Sequence, residues 1–496
     1  MEMATKAVDS TVHLCYKESL IDLAHIRPAS KCREEGCAGL VNLKDKSVGS
    51  ALYFDWVCEK GHNNGTWCSQ PVFRRGLHAG DLLTSAAILF SGNNYQKVQL
   101  MTKFMKLPIV SQASFLKIQR SYLVPAIEEK WKEHLAHRIQ TIKDSSGEVV
   151  ISGDGRMDSP GHCAQYCTYT AMENSTKEIL SVVTVDKRET GKSSVWMEKE
   201  GFLRTLQFFL DEHILVKEVI TDAHPSITAV LRNEHPSITH SYDIWHAAKN
   251  LAKKIMKASQ KKQCGLLRQW CSHIVNHFYH ISGESSSVEE FTDLWFGVLH
   301  HVVDEHEWAV GRGRCSHGPL SGEHIEWMKK GSPAHDALRV IIADRRFLKN
   351  IPYFLNARST ADLEGFNSLI TMYAGKRFAY RPPVYRARNL LAALDHNEHL
   401  NRESMTNKDG NVRMAKTFNK KSNRWSVREL KVQKKYGHID GLLKKVFCIR
   451  AADKVGMSMP VVLQESDPRR ISSTIAPVLP PPKDVLIQEH KSRLSK

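Results

Sequence analysis

No stretch of this sequence comes near the roughly 20 consecutive apolar residues that a membrane-spanning helix needs. The first residues, MEMATKAVDSTVHLCYK, lack the apolar core of a secretory signal, so an intracellular protein with no membrane partner is expected. Cysteine is sparse: 11 residues in 496 do not make a secreted disulfide framework, and in a reducing compartment clustered cysteines bind zinc more often than they pair. Internal repeats are absent. Acidic residues are under-represented, 53 Asp and Glu against 70 Lys and Arg, for a net charge of +17. The shortage is local. Residues 244–283 hold seven basic residues and no acid, and residues 371–450 hold 19 basic residues against 6 acidic ones. A merely soluble surface would spread its charge, whereas concentrated positive charge suits a phosphate backbone, where binding releases counterions.

At 496 residues the chain is too long for one ordinary core and should form several folded units. Residues 1–30 look weakly ordered, and residues 31–75, rich in Cys, Gly and Trp, suit a small zinc-stapled domain. Residues 76–142 carry apolar positions at helical spacing in DLLTSAAILFSG, NYQKVQLMTKFMKL and QASFLKIQRSYLVPAIEEKWKEHLAHRI. With Ser111 as a cap, they form either a helix-turn-helix-like unit or a plain bundle that packs or dimerises. From 147 the pattern changes. EVVISGD, CTYTAMEN and ILSVVTVDKR read as strands, the last two joined by the turn STKE. SSVWMEKEGFLRTLQFFLDEH is an amphipathic helix, VKEVITD a fourth strand, HPSITAVLRNEH a helix starting at proline, HSYDIWH a fifth strand, and AAKNLAKKIMKASQKK a basic helix. The order β-β-β-α-β-α-β-α is that of an α/β fold with an RNase H-like mixed-sheet core. The first part of that core spans 147–262, a helical insertion occupies 263–345, and 346–400 completes it through the helix DLEGFNSLITMYAGK. Residues 401–496 form a basic tail, disordered in part toward the proline-rich STIAPVLPPPKDVL.

That order gives certain acids a chemistry. Phosphodiester cleavage needs an activated nucleophile and a stabilised leaving oxygen, which two divalent cations roughly 3.5–4 Å apart supply. Hard Mg²⁺ or Mn²⁺ requires converging oxygen ligands. Asp154 ends the first strand and Asp222 the fourth, and these strands can lie side by side. A third acid must come from a distant helix, with Glu364 the leading candidate and Asp362 its rival. Asp158, in a Ser-Pro-Gly loop, and Asp186, at the far end of the third strand, compete for the first position. In DIWH, His246 either orients a phosphate or a metal-bound water or supports the sheet as a buried side chain.

Taken together, GDGRMDSPGH, TDAHPSI, DIWH, TADLEGFNSL and the closing YRARNLLAALDHNEHLNR resemble the DDE transposases of the Kolobok superfamily, relatives of the hAT and Mutator-like groups, over residues 30–400. The resemblance implies that Asp154, Asp222 and Glu364 bind the catalytic metals, and that DIWH, with His246, is the C/D-x2-H motif between the second and third acids. It further implies a helical insertion before the third acid, and an enzyme that cuts DNA at element ends with water and joins the 3′-hydroxyl to a target. On this reading Lys249, Lys253, Lys254 and Lys257 hold the DNA backbone, and the protein acts in the nucleus as a homo-oligomer. The chain departs from the family in two places: the C2CH spacing of a THAP-type zinc domain is missing, and Asn367 stands where histidine is common. The alternatives are a DNA-binding regulator derived from a transposase that no longer cleaves, and a nuclease acting on RNA or RNA–DNA hybrids.

Zinc has its own candidates. Cys32, Cys37, Cys58 and His62 give C-x4-C-x20-C-x3-H, two ligand pairs on separate turns, with Gly36 and Gly61 where tight knuckles need them. Cys68 is the alternative fourth ligand. Cys315 and His317, with His300, His301 and His306 nearby, could form a second site, although helix-packing histidines beside a loop cysteine are the expectation there.

Overall fold

The computed structural model describes residues 13–26, 30–159, 163–311, 313–315, 317–318, 325–420, 424–458, 460, 462–476 and 478–490. The expected looseness of the first thirty residues concerns, at 1–12 and 27–29, positions outside this set, as do Pro160, Gly161 and His162 of the GDGRMDSPGH block. The chain forms two compact units. One is built from residues before Arg138 and after Asn367, and the other from Arg138–Asn367.

The first unit opens with a helix, Lys17–His25, and a three-stranded antiparallel sheet of β1 (Val41–Val48), β2 (Ala51–Cys58) and β3 (Asn63–Cys68). The two zinc-candidate turns lie together at the open end of the β1–β2 hairpin, where Val41 pairs with Cys58, the first turn before β1 and the second between β2 and β3. Helices Ala79–Phe90, Tyr95–Phe104 and Gln112–Ile118 follow, the third capped by the Ser111 hydroxyl, which accepts from the Ser114 N–H. The helix Pro382–Glu398 is buried along most of its length. Its Arg388 is buried too and donates to the Tyr373, Gly92 and Asn93 carbonyls, so its charge is met by backbone oxygens.

The tail after 401 differs from expectation. It contains an antiparallel hairpin, Met414–Asn419 with Arg424–Glu429, and a helix, Gly437–Ala452, that buries Leu442, Val446 and Arg450. Phe447 meets Phe73, Lys445 pairs with Glu129 and Glu133, and the Tyr122 hydroxyl donates to Asp453 at 2.6 Å. These partners lie about three hundred residues upstream, so no local pattern could announce them.

The second unit is a mixed α/β structure. Its five-stranded sheet has the order β6-β5-β4-β7-β8, with β4 (Glu148–Met157), β5 (Tyr166–Glu173), β6 (Ile179–Asp186), β7 (Leu215–Thr221) and β8 (Thr239–Tyr242). β4, β5 and β6 pair antiparallel, while β7 runs parallel to both β4 and β8. Near-continuous burial of β5 and of the end of β7 explains their Val-, Ile- and Tyr-rich sequences. The helix Met197–Asp211 covers one face with Phe202, Leu206 and Phe209. Its Gly201 lets it settle on Tyr169, whose Cβ would lie 2.5 Å from an added side chain. Pro225 occupies the first turn of helix Pro225–Glu234, where its missing N–H has no helical partner to lose.

The fifth strand is shorter than HSYDIWH. It stops at Tyr242, and Asp243 caps a helix, Ile244–Ser259, by accepting from the Trp245 N–H. Beyond it, helices Leu266–Glu284, Val288–His301, Pro333–Ile342 and Arg345–Lys349 share an aromatic-rich core with Trp270, Phe278, Phe291 and Trp295. The expected final core segment, 346–400, is divided at Asn367 between the two units. Among the described residues, no helix is long and apolar enough to cross a membrane.

Candidate functional site: a carboxylate cluster and two Cys/His clusters

The register of the parallel pair positions two of the acids. The last paired residues are Ser152 and Ile220, and Asp154 and Asp222 each lie two residues further on, which returns both to the same face. They therefore sit side by side beyond the carboxyl end of the β4–β7 pair, the edge where open α/β sheets place ligands. Asp222 begins the turn, and the next residue, Ala223, takes a left-handed φ of +70° that costs a non-glycine residue of order 1 kcal/mol or more.

The chain before helix Ala361–Tyr373 is fastened to this edge. Arg358 forms a two-pronged pair with the buried Glu218 of β7, its Nη2 at 2.7 Å, and its carbonyl accepts from the Ile244 N–H. Two residues on, the Thr360 hydroxyl donates to Asp243 at 2.8 Å. The helix then presents Glu364 and Asn367, one turn apart. The Asn367 side chain donates to Asp154 at 2.7 Å, and Glu364 is close enough to act on the charge of Asp154.

A fourth acid joins them. Glu198, in the first turn of helix Met197–Asp211, lies within electrostatic reach of Asp154 and Asp222. Burial first, then the charges of Asp222 and Asp154, push its pKa up to about 8. Asp154 is pushed up to about 6 by burial and by Asp222 and Glu364, against hydrogen bonds from Asn367 and the Gly155 N–H. Sequence reasoning missed Glu198, yet a signal existed in the glycines flanking Asp154. A Cβ on Gly155 would come 2.5 Å from the Glu198 Cγ, and one on Gly153 would collide with the Tyr169 hydroxyl. Glycine inside a strand marks such close approaches.

The competing acids are engaged elsewhere. Asp158 accepts from the Gln165 and Tyr166 N–H groups, closing the β4–β5 connection. Asp186 caps the short turn after β6 and pairs with Arg188 at 2.8 Å. Asp362 is exposed and pairs with Lys177 at 3.0 Å.

Asp243 is 2% exposed and accepts from the Trp245 N–H, the Thr360 hydroxyl and, at 2.7 Å, His246 Nδ1. A carboxylate can only accept, so Nδ1 carries the proton and Nε2 is left as an acceptor. His246 lines a cleft of about 430 Å³ together with Asp222, Asn250, Lys253, Lys254 and Arg346. Lys254 also pairs with Asp344 at 2.7 Å, and Lys249 lies over the Trp245 ring. Lys257 is exposed in the last turn of the same helix.

Two Cys/His clusters can hold a metal ion such as zinc, and in each the four ligand atoms lie within 4.8 Å of one another. The four carboxylates are not gathered so tightly. The first cluster is Cys32, Cys37, Cys58 and His62. Desolvation opposes the Cys32 thiolate. Hydrogen bonds from the Glu34 N–H, Asn64, His62 and Cys58 outweigh it and hold its pKa down to about 6. His62, rather than Cys68, completes the set; Cys68 ends β3 opposite Tyr53. The second cluster, in the helical segment of the other unit, is His301, His306, Cys315 and His317. Its histidines do pack on Trp270 and Trp327, as expected there, and their ligand atoms also converge as a metal site would need. His300 is excluded because it pairs with Glu305 and stacks on Trp308.

No protein-family model matches this chain. No curated protein is significantly similar to it.

Proposed function

We propose that residues 138–367 form an RNase H-like nuclease core and that the protein is a DDE-type DNA transposase or a domesticated derivative of one, resembling the Kolobok group. The observation that carries this reading is the placement of Asp154 and Asp222 side by side at one sheet edge, with Glu364 and Glu198 within electrostatic reach of Asp154, and with Asp154 and Glu198 both resisting ionisation there. Carboxylates crowded until their charge is disfavoured suit a divalent cation, whose charge relieves what burial and mutual repulsion impose. Asp154, Asp222 and Glu364, with Glu198 beside them, would hold Mg²⁺ or Mn²⁺. The bound ions would supply an activated attacking oxygen and charge to stabilise the leaving one.

The chain's own residues have separable tasks. Asn367 holds Asp154 in one rotamer. Asp243 holds the His246 ring through Nδ1, and His246 lines the cleft, where Nε2 can accept a hydrogen bond from a water. Lys253, Lys254 and Arg346 give the cleft positive charge suited to a phosphate backbone. In the other unit, the hairpin Met414–Glu429 exposes Lys416, Arg424 and Arg428 beside Trp425, a combination suited to nucleic acid.

The test is metal-dependent nicking of supercoiled DNA and strand transfer from an element end. Asp222→Asn should leave less than about 1% of the wild-type rate while DNA binding persists. Equal activity in that variant rejects the assignment. Wild-type binding that ignores divalent cations, with no cleavage of DNA, favours the non-cleaving DNA-binding derivative instead, and preferential cleavage of RNA–DNA hybrids favours the nuclease reading.

A further inference from the structure

We propose that His301, His306, Cys315 and His317 form a second zinc site, a structural staple within the helical segment 263–345 that is separate from both the carboxylates and the Cys32 cluster. The geometry points there first through distance. A tetrahedral zinc with Zn–N of about 2.0–2.1 Å and Zn–S of about 2.3 Å places two nitrogens about 3.3 Å apart and a sulfur and a nitrogen about 3.6 Å apart. His317 Nε2 lies 3.2 Å from His301 Nδ1, and Cys315 Sγ lies 3.6 Å from the same nitrogen. The Cys32 cluster repeats the value, with Cys32 Sγ 3.6 Å from His62 Nδ1.

The outward-facing nitrogens supply an independent argument. A zinc-bound imidazole donates its far N–H to a carboxylate or carbonyl, which fixes the tautomer and turns the other nitrogen to the metal. His306 Nε2 donates to Asp304 Oδ1 at 3.1 Å, while its Nδ1 is buried with no hydrogen-bond partner. An orphaned nitrogen of this kind is costly unless a ligand meets it. His317 Nδ1 donates to the Gly318 carbonyl at 2.8 Å, leaving Nε2 to face His301.

The backbone explains why these four residues converge. Helix Val288–His301 ends at the first ligand, and a short antiparallel turn then brings the next two together. Glu307 bridges Arg314, and the Cys315 N–H donates to the His306 carbonyl at 3.0 Å. Trp327 lies edge-on to both His301 and His306, and Trp270 edge-on to His301, so the rings are walled into place. The turn itself, EHEWAVGRGRC, is short of aliphatic residues and exposes Val310 at 80%. Such a segment has little apolar area to hold it, and a metal supplies the missing constraint. With all four positions filled by protein the ion has no open coordination site, so its role is structural.

The test is metal content and ligand type on the full-length protein. Elemental analysis should give two zinc ions per chain. Zinc X-ray absorption should average two sulfurs and two nitrogens per ion, the mean of a three-sulfur and a one-sulfur site. A His306→Ala/Cys315→Ser double variant should fall from two ions to one and shift the remaining signal to three sulfurs and one nitrogen. A single ion of three sulfurs and one nitrogen in the wild-type protein overturns the proposal, as does a double variant that keeps two. A single ion of one sulfur and three nitrogens supports it and removes the Cys32 site instead. If the double variant does not fold, the wild-type spectrum decides alone.

Discussion

Glu198 is the side chain on which the electrostatics of the carboxylate edge can be measured. Its pKa rises from an ordinary value near 4.5 to about 8 in the fold, through burial and then through Asp222 and Asp154. A carboxyl raised in this way favours the folded state below its unfolded pKa, and that contribution is lost as pH climbs through the folded one. Without added divalent cation, stability should therefore decline between about pH 4.5 and about pH 8, with Asp154 contributing over the lower part of that window, up to about 6. Glu198→Gln removes the titration. Its melting temperature should match the wild type near pH 5 and exceed it by roughly 5–10 °C near pH 8.5, on the order of 2–4 kcal/mol. Mg²⁺ should narrow the gap at high pH. Thermal melts across this range check it, and a wild-type-to-variant difference that does not change with pH would count against the clustering. Glu198 was hard to read because an acid in a helix's first turn normally only meets the helix dipole. Asp362 and Glu364 were likewise inseparable by composition. The sequence does not show that Lys177, in the β5–β6 turn, would take up the first of them.

Elements that alternate or repeat on their own were legible, and those defined by distant partners were not. The β-β-β-α-β-α-β-α order came from local apolar periodicity, and the five-stranded mixed sheet follows it. DIWH misled because Ile244 and Trp245 prolong the alternation of β8, although Asp243 has the chemistry of a cap and behaves as one. The helix Gly437–Ala452 stayed hidden because its apolar face meets residues far upstream. The hairpin Met414–Asn419 with Arg424–Glu429 was hidden for the opposite reason: it is exposed on both faces, so its alternation separates nothing. That exposure has a functional consequence. Trp425 is 71% exposed and packs on Phe418, with Arg424 and Arg428 on the same strand. A Trp425→Ala change should weaken DNA binding by roughly 1–3 kcal/mol without altering its salt dependence. An Arg424→Ala/Arg428→Ala pair should instead lower the slope of log affinity against log salt by about 2. Binding isotherms at several salt concentrations separate the two, and wild-type slopes in the arginine variant would remove the hairpin from the interface.

The least legible feature belongs to the whole molecule. The chain leaves its first unit at His137 and returns to it after Asn367, so one compact body is assembled from two ends of the sequence. Composition cannot show this, because the joining residues lie inside helices rather than in polar linkers. The two Cys/His clusters fall on opposite sides of the division, Cys32–His62 in one unit and His301–His317 in the other. With zinc bound, each would staple a sheet or turn, so losing the metal should loosen its own surroundings and spare the other unit. Hydrogen exchange on the full-length protein tests this. Cys58→Ser should speed exchange in β1–β3, which flank that cluster. His306→Ala should speed it along Val288–His301 and the segment 325–342, which surround the other. In each case the local opening free energy should fall by on the order of 3 kcal/mol, about a hundredfold in rate. Strands β4 and β7 should keep their protection in both variants, because the bonds that fix Asp154 and Asp222 involve neither cluster. Loss of protection in β1–β3 on mutating His306, or along Val288–His301 on mutating Cys58, would mean that the two staples are not independent.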